Sequence, residues 1–255
     1  MTDQDIGLRL AAIVEEAARL ILPLWRSGLE VITKVDKSPV TEADQRAERL
    51  ILARLLEHFP DVAVVSEEDA SEFGAPDQIG PRFFLVDPLD GTKAFVRDDA
   101  NFTVNIGLIE GGRPVAGAIA APATGEVWFT SPSGARKRKA GETVSHAIAV
   151  RSSGDDPVAL ISHTMNESAL AALKARYGFS RTQAMDSSIK LCRIAEGAAD
   201  LYPRHGTTME WDIAAGQAIL QAAGGSVMTP DGAPFSYGKA AEGFRNGWFV
   251  AKGAA

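Results

Sequence analysis

Apolar residues at Ile6, Leu10, Ile13, Ala17, Leu20 and Leu24 recur at steps of three and four, which predicts an amphipathic helix from Ile6 to Leu24. Its polar face mixes both signs of charge, so packing on a core is favoured over lying on a membrane surface. Lys34 to Val40 reads as a polar turn ending in Ser38-Pro39. A second helix is expected from Glu42 to about His58, with Ala43, Ala47, Leu50, Ile51 and Leu55 on its apolar side. Val62 to Val65 and Phe83 to Val86 are short β-favouring runs, each ending at acidic residues. Thr103 to Ile109, Pro114 to Ala121 and Glu126 to Thr130 follow as strands. With hairpin-type turns at Gly111-Gly112 and Pro122 to Gly125 between them, they predict an antiparallel meander.

The pattern then changes. Ser131 to His146 is rich in Ser, Gly and basic residues, and Arg136-Lys137-Arg138-Lys139 reads as the solvated tip of an exposed loop or hairpin near a domain boundary. Beyond it, a strand at Val158 to Ser162, helices at Glu167 to Tyr177 and Ser187 to Ala199, and a strand at Leu201-Tyr202 alternate. A helix from Asp212 to Ala223 and strands near Ser226 to Met228 and Trp248 to Ala251 complete the series. Such alternation predicts an α/β half, so the expected division is an α+β half over 1–140 and an α/β half over 141–255.

At 255 residues and 45% hydrophobic content, the chain suffices for one large domain or two modest ones with buried cores. A net charge of −7 gives no global attraction to nucleic acid or to an anionic membrane, so an anionic partner must be held by local charge or by a metal. The single Cys192 forms no internal disulfide, and charges interrupt the first 30 residues too often for a signal peptide or a spanning helix. The expected location is the cytoplasm.

Acidic residues mark element boundaries at Asp44, Glu67-Glu68, Asp87/Asp90 and Asp212. An oxygen-only set of this kind suits a hard divalent cation such as Mg²⁺, and no His/Cys grouping has zinc-like spacing. In Asp87-Pro88-Leu89-Asp90-Gly91-Thr92 a buried-type strand delivers Asp87, and Gly91 permits a tight turn that lets both carboxylates face one site. They would repel without a cation between them, although a surface turn with locally bonded Asp fits the same spacing. The amides of Gly91 and Thr92, if a helix begins there, offer a seat for a phosphate. Asp44 has a second reading as first-turn complement to a Thr41 N-cap, Asp212 as an N-cap, and Glu67-Glu68-Asp69 as a solvated turn. With no Gly-x-Ser-x-Gly elbow and four scattered histidines, a Ser/His/Asp hydrolase is not supported.

In this order, Ser66-Glu67-Glu68-Asp69, Asp87-Pro88-Leu89-Asp90-Gly91-Thr92 and Glu210-Trp211-Asp212-Ile213-Ala214-Ala215-Gly216 resemble the inositol-monophosphatase-like family of Mg²⁺-dependent, lithium-sensitive phosphatases, over nearly the whole chain. Within it, Asp36-Lys37-Ser38-Pro39-Val40-Thr41, Asn101 to Ile106, Ser187-Ser188-Ile189-Lys190 and Leu201-Tyr202-Pro203-Arg204 look most like bacterial 3'(2'),5'-bisphosphate nucleotidases. The resemblance implies a layered αβαβα sandwich of an α+β and an α/β half, hydrolysing a small phosphate ester. It implies metal binding by Glu67, Asp87, Asp90, Asp212 and the Leu89 carbonyl, with Glu68 behind them and Asp44 with Thr92 activating water. Gly91, Thr92, Asp212, Ser187, Ser188, Lys190 and Arg204 would border the substrate, one or both of the two cations meeting a second phosphate, with a solvated helix position as the other reading of Lys190. Ala94 and Gly206-Thr207-Thr208 depart from the family pattern. An inositol or sugar phosphate as substrate, and a silent phosphonucleotide-binding protein, are the rival expectations; an oligomer is left open.

Overall fold

In the computed structural model, which describes residues 6–28, 31–33 and 39–254, the first amphipathic run forms α1 (Ile6–Ile21). Pro23 removes a donor and crowds the preceding turn, so Leu22–Leu24 tighten into a 3₁₀ turn and the helix stops before Leu24. The expected turn residues Lys34 to Ser38 lie outside the described residues. A short antiparallel pair, β1 (Val31–Thr33) and β2 (Pro39–Thr41), leads into α2 (Glu42–His58). Thr41 caps α2 by accepting the Ala43 N–H at 3.2 Å, and the Asp44 carboxylate accepts the Thr41 N–H in return at 2.8 Å.

There follow β3 (Ala63–Ser66), α3 (Glu67–Phe73), β4 (Arg82–Asp90) and α4 (Thr92–Val96). The meander continues as β5 (Thr103–Glu110), β6 (Arg113–Ala121), β7 (Glu126–Ser131), β8 (Gly134–Lys139) and β9 (His146–Ala147). One sheet holds β3 to β9 in sequence order, with β3 parallel to β4 and the rest antiparallel.

The basic run is therefore not a solvated tip but strand β8. Successive strand residues face opposite sides, and each side meets a carboxylate. Lys137 Nζ lies 2.6 Å from both Glu126 and Glu196, while Arg138 reaches Glu15 of α1 at 2.9 Å.

The remainder comprises β10 (Ala159–Ile161), α5 (Glu167–Tyr177), β11 (Thr182–Ala184), α6 (Ile189–Ala195), β12 (Leu201–Arg204), β13 (Thr208–Met209), α7 (Glu210–Ala222), β14 (Ser226–Met228), β15 (Arg245–Asn246) and β16 (Phe249–Lys252). A smaller mixed sheet runs β11-β10-β12-β16-β14.

β4 is buried on both faces: Phe84 and Val86 join the core under α1 and α2, whereas Phe83 and Leu85 join the core around α6 and α7. That second core reaches through to Tyr202 and Phe249 of the smaller sheet, and Leu173 of α5 packs on its far side against Ala159 and Leu201. The order is αβαβα, as expected from the resemblance. Helix α7 lies so close to the large sheet that a Cβ at Gly107 would sit 2.8 Å from the Ala215 N and one at Gly117 2.7 Å from the Ala215 O. This close approach carries the first turn of α7 to the end of β4.

Candidate active site

The pairing of β4 with β5 is regular as far as Asp87 and shifts register before Asp90, so both carboxylates leave the strand where it bulges. Asp87 Oδ1 accepts the Leu89 N–H at 3.1 Å, and Leu89 itself is anchored in the core. Gly91 then adopts φ 93°, and a Cβ there would meet the Asn101 carbonyl at 2.8 Å. The turn releases the chain into α4, so a helix does begin at Thr92.

The Thr92 hydroxyl lies 3.2 Å from Asp44 Oδ1 and 3.1 Å from the Leu89 carbonyl. Asp44 is held on its other side by the Thr41 N–H and hydroxyl, at 2.8 and 2.7 Å. Glu67 is the first residue of α3 rather than part of a solvated turn, and Glu68 donates its N–H to Glu48 Oε2 at 3.0 Å. Helix α7 starts at Glu210, two residues before the expected Asp212, because the buried Glu210 carboxylate accepts the N–H groups of Gly238 and Lys239 at 2.8 and 3.0 Å. Asp212 consequently occupies the first turn, where its carboxylate accepts the Met209 N–H at 2.8 Å.

Oxygens of Glu67, Asp87 and Asp212 lie within 4.8 Å of one another. Burial, and next the charges of Glu67 and Asp90, push the Asp87 carboxyl well above the ordinary range. Burial and the charges of Asp90 and Glu67 do the same to Asp212. Burial also raises Asp90, against the opposing pull of Lys190 and of the Ser188 N–H that it accepts at 2.5 Å. Carboxylates gathered in this way need a proton or a cation, and an all-oxygen donor set fits a hard divalent ion.

These groups line a cavity of about 450 Å³, whose walls also include Gly91, Thr92, Ser187, Ser188, Lys190, Arg204 and Thr207. Helix α6 begins at Ile189 rather than Ser187 and ends at Ala195 rather than Ala199. Its Lys190 is only 4% exposed, which corrects the solvated-helix reading: the helix is sandwiched between the two sheets. Lys190 Nζ donates to the carbonyls of Met185 (3.1 Å) and Ser187 (2.6 Å) and lies 5.0 Å over the Tyr202 ring. Burial pushes its pKa down to about 8, with the Asp90 charge opposing. Ser188 Oγ is committed to Asn105 Oδ1 at 2.8 Å and to Thr103 Oγ1 at 2.9 Å. Ser187 holds φ 55°, a conformation that non-glycine residues seldom adopt, beside the cavity.

Sequence reading missed Glu48, and it missed Arg97, Ser162, Thr164 and Asp186, which also line the cavity. Asp186 is bonded to Arg97 at 2.8 Å and lies 3.3 Å from His163 Nδ1. None of these residues sits in a motif, so only the fold collects them.

The model of the inositol monophosphatase family matches residues 5–252. Over 209 residues the chain is 40% identical to the 3'(2'),5'-bisphosphate nucleotidase CysQ of Escherichia coli strain K12, covering 82% of this chain and 83% of that protein. It is 34% identical over 232 residues to the Buchnera aphidicola protein of the same name, covering 90% and 86%. Among solved structures, CysQ from Bacteroides thetaiotaomicron superposes with a TM-score of 0.82 at 32% identity, covering all of this chain and 99% of that one. An inositol monophosphatase from Zymomonas mobilis superposes at 0.79 with 26% identity, covering 100% and 94%.

Proposed function

The chain belongs to the inositol monophosphatase family, and from that premise we propose that it is a Mg²⁺-dependent 3'(2'),5'-bisphosphate nucleotidase, converting 3'-phosphoadenosine 5'-phosphate to AMP and phosphate. The observation that carries this reading is the convergence of Glu67, Asp87 and Asp212 in a cavity whose wall also holds Lys190 and Arg204. The nucleotidase relatives support the choice of substrate.

Glu67, Asp87, Asp90, Asp212 and the Leu89 carbonyl would hold the cation, with Glu68 beside them. When bound, Mg²⁺ supplies neutralisation of the phosphoryl charge and a lowered pKa for water. Asp44, fixed by Thr41, is the acceptor toward which the Thr92 hydroxyl can pass its proton while the Thr92 oxygen takes one from the attacking water. Gly91 and Thr92 present the first backbone N–H groups of α4 beside this point.

Lys190, also on the cavity wall, spends two donors on carbonyls and keeps a third for a second phosphate. Arg204 Nη2 donates to the Thr207 carbonyl at 3.3 Å, while its buried Nε finds no partner among the described residues. Ser187 is the more available hydroxyl, since Ser188 ties α6 to β5. In this scheme Asp212 comes from the half proposed for 141–255 and the other carboxylates from 1–140, so the reaction would take place between them. No helix among the described residues is long and apolar enough to cross a membrane, and a cytoplasmic location fits the buried, unpaired Cys192.

The test is phosphate release from 3'-phosphoadenosine 5'-phosphate, inositol 1-phosphate and fructose 1,6-bisphosphate in parallel, with and without Mg²⁺ and with Li⁺. The proposal expects the nucleotide to be hydrolysed fastest, only with Mg²⁺. Equal rates on all three would overturn the nucleotidase reading, and tight nucleotide binding without release would favour a silent binding protein.

A further inference from the structure

Helix α2 carries two buried carboxylates one turn apart, Asp44 and Glu48, at 1% and 4% exposure. Residues four apart share a helix face, so both point toward the same neighbourhood. Asp44 meets Thr92. Glu48 reaches α3 instead: its Oε2 accepts the Glu68 N–H at 3.0 Å and its Oε1 the Asp69 N–H at 2.9 Å.

Those amides belong to the second and third residues of α3. The start of a helix leaves N–H groups without intrahelical partners, and Ser66, at the cap position, makes no side-chain cap bond. A carboxylate from a different helix therefore does the capping, and its charge complements the dipole. Helix α3 has seven residues and none of them is fully buried, so packing alone fixes its first turn weakly. Glu67, which joins Asp87 and Asp212 within 4.8 Å, immediately precedes the two clamped amides.

We propose that Glu48 is a positioning residue of the carboxylate centre, setting the first turn of α3 and with it the reach of Glu67. Through α2, the same device holds Glu67 in register with the Asp44–Thr92 pair. This inference rests on the Mg²⁺ reading above. Both carboxylate oxygens are in use, so the chemistry is specific: Gln keeps one acceptor and turns a donor toward the other amide, and Asp keeps the charge with a shorter reach.

The experiment measures Mg²⁺ affinity by titration calorimetry on the full chain, for wild type, E48Q, E48D and D200N, alongside thermal melting in EDTA. Asp200 is the structural control: it bonds Arg151 and the Val158 N–H at 2.8 and 2.7 Å, away from the cavity. For E48Q the expected result is Mg²⁺ binding weakened about 10- to 100-fold, the usual consequence of losing a residue that orients a metal ligand. The Mg²⁺ concentration for half-maximal phosphate release should rise by the same factor, and E48D should recover part of the loss. D200N should melt earlier with Mg²⁺ affinity unmoved. E48Q binding Mg²⁺ like wild type, or E48Q and D200N losing affinity in step with their loss of stability, overturns the role of Glu48 alone. A wild-type chain that binds no Mg²⁺ overturns the metal reading as well.

Discussion

Asp87→Asn should abolish phosphate release and at the same time stabilise the metal-free protein. Asp87 is 1% exposed, and its carboxylate lies within 4.8 Å of those of Glu67 and Asp212. At that separation, and at the effective dielectric of about 20 that suits protein sites, one pair of unit charges repels by ~3.5 kcal/mol. Proton uptake relieves part of this, because burial and the neighbouring charges hold Asp87 well above the ordinary carboxylate range. The residual gain from Asn is then about 1–3 kcal/mol, and Asn keeps a carbonyl oxygen for the Leu89 N–H. For a chain of this size that corresponds to a rise of roughly 2–4 °C in Tm per kcal/mol.

The sign of the pH dependence follows from the raised pKa. Without metal, the contribution of wild-type Asp87 is complete below the ordinary carboxylate value and is lost as pH rises through the higher folded value. Asn does not titrate, so its advantage widens with pH. Magnesium works against that advantage: ligand at about 100 times its Kd adds roughly 2.7 kcal/mol to wild type and little to the variant. Calorimetric melting in EDTA and in excess Mg²⁺, from pH 6 to pH 9, reads both effects. A variant less stable than wild type in EDTA, or stabilised equally by Mg²⁺, would refute the reasoning.

Burial opposes ionisation of Glu126, but hydrogen bonds from Arg193, Lys137 and Thr124 hold its pKa down to about 2 from the ordinary 4.5. It should therefore contribute about 3 kcal/mol at neutral pH, lost as pH falls from the ordinary value toward the folded one; urea unfolding of E126Q should show that acid slope flattened. Lys190→Ala should weaken binding of a bisphosphate nucleotide about 10- to 100-fold, the scale of one buried charged hydrogen bond, with a smaller effect on a simple phosphomonoester. Equal losses on both substrates would remove Lys190 from the second-phosphate site. Gly117→Ala places a Cβ 2.7 Å from the Ala215 carbonyl, so α7 must shift. The expected cost is about 1–3 kcal/mol in chemical denaturation, with Mg²⁺ affinity lowered because Asp212 moves with the helix.

Helices α1, α2 and α5 were legible because their signals are local, among them the periodic apolar positions of α1 and the Thr41 cap of α2. Strands β5 to β7 were legible for the same reason, bracketed by turn residues. The misread segments have partners remote in sequence. Lys137 and Arg138 look solvated until Glu196, just past α6, and Glu15 of α1 arrive from remote segments. Lys190 looks exposed until a second sheet closes over α6, and Asp212 looks like a cap until Glu210 is claimed by Gly238 and Lys239. Glu48 is the clearest case, an ordinary helix glutamate whose use is defined by two amides of another helix.

By itself, then, the sequence determined most of the longer helices and the strands β5 to β7, placed acidic residues at element ends, and through the order of its motifs gave the family resemblance that implied the layered class. The elements follow from periodicity and turn chemistry, encoded within a few residues of one another, and the family from the order of three motifs between Ser66 and Gly216. Tertiary structure alone decided that Glu67, Asp87 and Asp212, from three different elements, come within 4.8 Å of one another. It did so through long-range packing: Gly107 and Gly117 let α7 settle against the sheet, and the buried Glu48 holds α3 from α2. The charges that burial forces together are stable there only with a counter-ion or a proton, which is why the site's chemistry belongs to the fold rather than to any one segment.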